Sequence, residues 1–308
     1  MAITGWRAHG VRETDAAEAG KIEPVADVRF RRPTGMLSDF ITAYYFVEIS
    51  GPAGSEIEDL LHPEWGNLRF HSGEDWDVAT GDGQFATPQS ATLFGPTSCA
   101  RPIRGRPGIV TGVGFTPQGW AHLIGINAAT LADKFAAAGP ILPGIGSLDI
   151  ALAGATSDEA RVDLLERYFA ARSAARPACD PRIGVIATAV NEAEDVHVEE
   201  LAHRLGLTMT QLARASQRWF GFPTKTLLRR QRFLRTLAQL LHPDGQPIGR
   251  IVDQAYYDQS HFNREFRYFM GMSPRDYFAR PRSILRPAAA NRMAEVGAAL
   301  QGLHRPCA

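Results

Sequence analysis

Apolar positions repeat with two different periods along this chain, and the change comes near residue 117. Before it, β-branched and aromatic residues fall in short runs: "DFITAYYFVEI" (Asp39–Ile49), "NLRFHS" (Asn67–Ser72), "DWDVAT" (Asp75–Thr80), "SATLFGP" (Ser90–Pro96) and "GIVTGVGF" (Gly108–Phe115). Clusters of Gly, Pro, Asp and Ser separate them, which is strand and turn punctuation. Short strands at this spacing predict an antiparallel sandwich or barrel. From Pro117 the period lengthens. Helices are predicted over Pro117–Ile126 and about Ala128–Ala138, then a break at "GPILPGIG" (Gly139–Gly146). Leu148–Ala175 reads as mostly helical, with Leu164, Leu165, Tyr168 and Phe169 spaced for one face. "ARSAARPACDPR" (Ala171–Arg182) has the composition of a linker. Helical periodicity then runs to about Phe278, before an Arg/Ala/Pro-rich tail that is expected to hold one helix near Ala288–Leu300 and otherwise to be loose. The expected division is a β-rich domain over 1–147, a helical connector and linker over 148–178, an all-α domain over 179–280 and a tail over 281–308.

Two stretches of the second half have a helix-turn-helix rhythm. In "VEELAHRLGLTMTQLARASQRWFG" (Val198–Gly221), Leu201, Ala202 and Leu205 form an apolar stripe on a short helix. Gly206 tolerates positive φ at the turn, and Thr208 is placed to cap a second helix with Leu212, Ala215, Trp219 and Phe220 inside. In "RIVDQAYYDQSHFNREFRYFMGMSP" (Arg250–Pro274), Asp258 is the N-cap candidate for a helix starting at Gln259. Phe262, Phe266 and Phe269 lie at i, i+4 and i+7 and make its buried stripe. Gln259, Ser260, Asn263 and Arg267 fall on the other side. Gln and Asn pair bidentately with adenine, and Arg with guanine, in the major groove. The positive end of the helix dipole near Gln259 favours phosphate. A surface helix with a merely solvated polar face presents the same row, so these residues leave both readings open. Between the two stretches, "TKTLLRRQRFLRTLAQLL" (Thr224–Leu241) is a long amphipathic helix of roughly 27 Å. Such a rod holds two recognition helices about one DNA turn, ~34 Å, apart. Lys225, Arg229, Arg230 and Arg232 on it are candidates for phosphate contact.

"DQSHFNREF" followed by "FMGMSP", together with "LAHRLGLTMTQLARA…FGFPTK", makes residues 180–280 resemble the DNA-binding domain of the AraC/XylS family of transcriptional regulators. The resemblance implies two helix-turn-helix units in one monomer, joined by a long helix. By motif position it implies Thr210, Ala213 and Arg214 as base-reading residues of the first recognition helix, and Gln259, Ser260 and Asn263 of the second. Arg264 matches a position that commonly supports phosphate or base contact, and Arg267, on the polar side of the same helix, is a further candidate for phosphate contact. There are departures. Ser216 stands where the family usually buries Phe, Thr224 where Pro is usual, and Ala255 where the turn Gly is usual. Ala213 offers a base only apolar contact, so the first helix is expected to discriminate less than the second. Upstream, "FITAYYFVEI", "LLHPEWGNLRF" and "VGFTPQGWAHLIG" resemble the broadly cupin-like sensor domains of a subset of these regulators. Those domains bind effectors or mediate dimerisation. Tyr44, Trp65, Phe70, His71, Trp76 and Trp120 are the effector-pocket candidates, against the plainer reading of core or rim aromatics. The expected fold is therefore α+β in two domains, a β-rich cupin-like one and an all-α one with two helix-turn-helix units on a long helix. The expected partner is double-stranded DNA. RNA polymerase, a small-molecule effector and a second copy of the chain are further candidates, and no cofactor is expected.

Charge sharpens this division. The net charge is zero, yet residues 1–179 carry 15 Lys+Arg against 21 Asp+Glu, and residues 180–308 carry 18 against 12. A basic half joined to an acidic half points to a polyanion partner for one half only. Hydrophobic content of 44% with 21% charged residues reads as an ordinary soluble globular protein. No apolar run of about 18 residues predicts a membrane span. The N-terminus lacks the apolar segment of a signal peptide, so the cytoplasm is the expected location. Cys99, Cys179 and Cys307 form no CxxC pair and read as free thiols. Arg101 and Arg104 near Cys99 raise a redox-thiol alternative, with an inert thiol preferred. His62, Glu64 and His71 could hold a metal but lack the His-x-His of metal cupins. The rival reading, a metal-dependent cupin-type enzyme with an accessory helical domain, finds no nucleophile motif or phosphate loop, so no enzymatic activity is expected. A protein-interaction module would share the amphipathic helices but not the duplicated turn chemistry.

Overall fold

The computed structural model of the chain describes residues 23–193, 196–242 and 248–304. Ten strands form among them: β1 (Val25–Arg31), β2 (Ile41–Ser50), β3 (Ile57–Leu61), β4 (Asn67–Gly73), β5 (Asp77–Ala79), β6 (Phe85–Ala86), β7 (Ala91–Phe94), β8 (Arg101–Gly105), β9 (Gly108–Phe115) and β10 (Phe135–Ala137). A first sheet runs β1-β2-β9-β4-β7-β10 and a second runs β3-β8-β5-β6. All pairings are antiparallel, with Phe46 opposite Thr111 and Leu68 opposite Val113 fixing the central register.

The first sheet is a middle layer. On one face Tyr44, Leu68, Phe70, Val113 and Phe115 pack against helices α3 (Ile145–Ala153) and α4 (Asp158–Ala174), through Leu148, Leu152, Leu165 and Phe169. On the other, Val28, Ala43, Val47 and Val110 meet Ile57, Trp76, Val78 and Ile103 of the second sheet. A strand covered on both faces needs apolar residues at both parities. That is why "ITAYYFV" is a continuous run rather than an alternation, and it is buried throughout except Tyr45, which is half-buried.

Several expectations need correction. The helix expected over 128–138 stops at Leu131 in α2 (Ala128–Leu131), and Phe135–Ala137 is strand β10. Asp133 turns the chain between them at φ 59°. Its carboxylate accepts from Ser98 N (2.8 Å) and Ser98 Oγ (2.7 Å), which repays that conformation. The helix expected from Pro117 is α1 (Pro117–Gly119), capped by Thr116, running into a π turn over Trp120–Ile124. Strands β1, β3 and β8, the last being "RPIRG", were not signalled by apolar runs. The tail is ordered where described: α12 (Leu285–Val296) lies on β1, with Asp59 accepting from Ile284 N (2.7 Å) and Leu285 N (2.9 Å).

The helical half comprises α5 (Arg182–Glu192), α6 (Val198–Arg204), α7 (Met209–Ala215), α8 (Thr224–Leu241), α9 (Ile248–Ala255), α10 (Gln259–Met270) and α11 (Pro274–Ala279) before α12. Two cores share the rod α8. Ile186, Leu201, Leu212, Phe220 and Leu227 make one, and Phe233, Leu237, Val252, Phe262, Phe266 and Tyr277 make the other. Each core takes in a residue of the β-rich domain, Trp65 in the first and Leu60 in the second.

Candidate nucleic-acid interface

The first unit is built as its turn chemistry dictates. Gly206 takes φ 64° between α6 and α7, a conformation costly for any residue with a Cβ. Thr208 then closes a capping box: its hydroxyl accepts from Gln211 N (3.2 Å), and the Gln211 side chain accepts from Thr208 N (2.8 Å). Leu212 is buried, while Thr210, Ala213 and Arg214 stand exposed on the opposite side of α7. Ser216 and Thr224, two departures from the family pattern, face each other. Both are buried and their hydroxyls lie 2.8 Å apart.

In the second unit Asp258 caps α10 by accepting from His261 N (2.6 Å). Phe262, Phe266 and Phe269 are fully buried, and Phe233 of α8 stacks on Phe269 with centroids 4.7 Å apart. Gln259 and Ser260 are exposed and Asn263 half-buried, with Gln259 Nε2 donating to Asn263 Oδ1 at 3.4 Å. Arg264 and Arg267 are exposed on the same helix. Ala255 ends α9, and its side chain lies outside the described residues.

The basic residues of α8 do not share one environment. Lys225 is exposed in the first turn. Arg229 pairs with the buried Glu265 carboxylate at 2.5 Å, which raises its pKa, and it lies over Tyr268 at 4.8 Å. Arg232 reaches the other oxygen of Glu265 at 3.7 Å. Glu265 therefore fastens α10 to the rod, a role not foreseen from sequence. A lone acidic residue on an aromatic, basic helix was the available signal.

Arg230 overturns its expected phosphate role. It is 0% exposed, its Cζ lies 4.0 Å from the Trp65 ring centroid, and none of its guanidinium nitrogens has a hydrogen-bond partner. Burial pushes its pKa down to about 10. The helical period explains this. Leu227, Arg230 and Leu234 share one face, and that face carries the β-rich domain.

The six effector candidates are not brought together. Tyr44, Phe70 and Trp120 lie in the core between the first sheet and α3–α4, and Trp76 lies between the two sheets. Trp65 packs edge-on to Phe220, centroids 5.8 Å apart, at the domain junction. His71 is half-buried beside Trp76, its pKa lowered to about 4 by burial. His62 does not join His71. Its Nε2 lies 2.8 Å from Tyr277 Oη, and Glu64 pairs with Arg69. Among the described residues no cluster of three metal-ligating side chains forms. Cys99 is raised in pKa by burial, and Arg101 and Arg104 are paired with Asp133 and Glu58, so the redox-thiol alternative loses its electrostatic basis.

Two cavities adjoin the domain junction. One, of about 110 Å³, lies between the first sheet and α12. The other, of about 340 Å³, lies between α1 and α5, with Trp65, Gln118, Thr188 and Asn191 on its wall.

Two capped helix-turn-helix units on one rod, each with a polar helix side outward, define a DNA-binding protein of the helix-turn-helix class. Residues 201–280 match the family model described as a helix-turn-helix domain. The C-terminal half thus carries a helix-turn-helix domain. The comparison with curated proteins found no match. Similar solved structures include ToxT from Vibrio cholerae, at 10% identity, covering 83% of this chain and 97% of that one with a TM-score of 0.45. The C-terminal domain of AraT, a response regulator from Geobacillus stearothermophilus, is 25% identical over 32% of this chain and 84% of that one, with a TM-score of 0.29. The AraC-like transcriptional activator CuxR is 16% identical, over 70% and 88% of the two chains, with a TM-score of 0.25. Among the described residues no helix is long and apolar enough to cross a membrane.

Proposed function

We propose that the chain reads two adjacent major-groove segments of duplex DNA, α10 supplying most of the discrimination through Gln259, Ser260 and Asn263, and α7 less through Thr210, Ala213 and Arg214. Lys225, Arg229, Arg232, Arg264 and Arg267 serve the phosphates, and Arg230 does not. One observation carries the reading: the Phe262, Phe266 and Phe269 stripe of α10 is wholly buried, while its capped N-terminal turn presents Gln259 and Ser260 to solvent. The β-rich domain acts as a sensor of a small molecule rather than as an enzyme. Its junction with the helical half, through Trp65 and Leu60, supports that coupling. We place the protein in the cytoplasm, with RNA polymerase and a second copy as partners in regulation.

Selection of bound fragments from random duplex DNA by the full chain tests this. Two half-sites about 10 base pairs apart are expected. Gln259→Ala should relax preference at one base by about 1–3 kcal/mol. An equal loss on every sequence would remove α10 from the groove.

A further inference from the structure

The two helix-turn-helix units are one pattern written twice, fifty residues apart. Helix α6 begins at Val198 and α9 at Ile248. Leu201 and Ala202 are buried on the first, Ile251 and Val252 on the second. Thr208 caps α7 by accepting from Gln211 N (3.2 Å), and Asp258 caps α10 by accepting from His261 N (2.6 Å). Helix α7 runs on through a π turn (Ser216–Phe220) to Gly221, in the same register in which α10 runs to Gly271. Both glycines close their helices in the left-handed region, at φ 85° and 72°. Leu212 and Phe262 are buried at matching inward positions, and Arg214 and Arg264 are exposed at matching outward ones.

In this register Gln259, Ser260 and Asn263 of α10 correspond to Met209, Thr210 and Ala213 of α7. The frame is kept and the chemistry changes. Where α10 presents two amides and a hydroxyl, α7 presents a thioether, a hydroxyl with its methyl, and a methyl. Met209, absent from the base-reading residues expected from sequence, is 43% exposed, a large apolar side chain that the fold leaves in water. Met209 and Ala213 lie at i and i+4, one above the other, with Thr210 beside them. Neither Met209 nor Ala213 carries a hydrogen-bond donor, and the thioether is at best a weak acceptor.

The major-groove edges of the four base pairs offer donors, acceptors and one apolar group, the C5 methyl of thymine. Apolar side chains are matched by that methyl alone, and an unbranched Met adapts its shape to reach it. We infer that α7 reads thymine methyls and that Met209 is a specificity-determining residue beside Thr210 and Ala213. This rests on the DNA reading proposed above and says what the first half-site contains: thymine facing the trio, with Arg214 alone equipped for guanine. The second half-site is read instead through hydrogen bonds, because α10 keeps the amides.

The test uses the full chain and the site it selects from random duplex DNA made without 5-methylcytosine. The half-site whose preference Gln259→Ala leaves intact is the one under α7. Each thymine of both half-sites is then replaced singly by uracil, which removes the methyl and keeps the pairing, and binding is followed by fluorescence anisotropy. Uracil in the α7 half-site is expected to weaken binding about fourfold for each methyl contacted, the worth of one buried methyl group. Met209→Ala should reduce that loss at one position. Met209→Gln with Ala213→Asn, which gives α7 the amides of α10, should abolish it and move the preference there towards adenine. Both positions are exposed, so the variants are expected to fold as the wild type does. Uracil tolerated throughout the α7 half-site, or losses confined to the other, would overturn the methyl reading while two half-sites still stand. Uracil losses unchanged in the double variant would overturn the assignment to this trio. A selection that returns no paired half-sites would instead overturn the DNA reading on which it rests.

Discussion

Ser216→Ala should destabilise the chain by more than the loss of one hydroxyl suggests. Both members of the Ser216–Thr224 pair are buried, at 0% and 3% exposure, and their oxygens are 2.8 Å apart. Removing one hydroxyl leaves the other in a site that water does not reach. The expected cost is the desolvation of that orphaned group, about 1–3 kcal/mol, not the roughly 1 kcal/mol net worth of an average hydrogen bond. Thr224→Val should cost a similar amount for the same reason. The double variant removes both polar groups and keeps the volume nearly constant, so it should return to within about 0.5 kcal/mol of the wild type. Urea unfolding of the four proteins, followed by helical circular dichroism at constant m-value, measures the coupling directly. Additive single effects would refute the argument, because they would mean that each hydroxyl has its own solvent or partner. The pair joins the end of the first recognition helix to the start of the rod, so the single variants should also weaken binding at the first half-site more than at the second.

Arg230→Met should leave the salt dependence of DNA binding unchanged and raise the urea midpoint, because it removes a buried guanidinium with no hydrogen-bond partner; a fall of about one in the salt slope would restore Arg230 to the phosphate side. Arg264→Ala and Arg267→Ala should each flatten that slope by about one without changing base preference, checked by titrations from low to moderate salt. Acid should destabilise the fold through His62. Its pKa is about 3 when folded and near 6.5 when unfolded, so below pH 6.5 the unfolded chain takes a proton that the folded one refuses. Stability present above pH 6.5 is then lost, by about 1.4 kcal/mol per pH unit, as pH falls towards 3. Unfolding at pH 7.5, 6 and 5 should show a shallower slope for His62→Gln than for the wild type, and identical slopes would exclude His62 as the source.

Local order was legible wherever neighbours in sequence enforce it. The capping box at Thr208, the cap at Asp258 and the i, i+4, i+7 aromatic stripe of α10 depend on residues within two helical turns. So does the left-handed turn at Gly206. Reading there required no knowledge of the partner surface. The direction of Arg230 was also accessible, since it shares a helical face with Leu227 and Leu234. Strands β1, β3 and β8 were not accessible, because they are half-polar and owe their extended form to ladders with β2, β8 and β5. Asp59 has no local role beyond Leu60 N. It caps a helix more than 200 residues away, with |i−j| of 225 and 226.

Sequence alone thus determined that the second half forms two capped helix pairs on a rod with a polar row at the start of α10, since periodicity, caps and turn residues act over a few positions. Only the tertiary structure decided which cations meet solvent, where the tail lies and where the cavities open. Those depend on burial, and burial is set by surfaces that the fold brings together from distant parts of the chain. Arg292 and Phe30 are the measure of this: far apart in the chain, they line one cavity only because α12 returns to the edge of the first sheet.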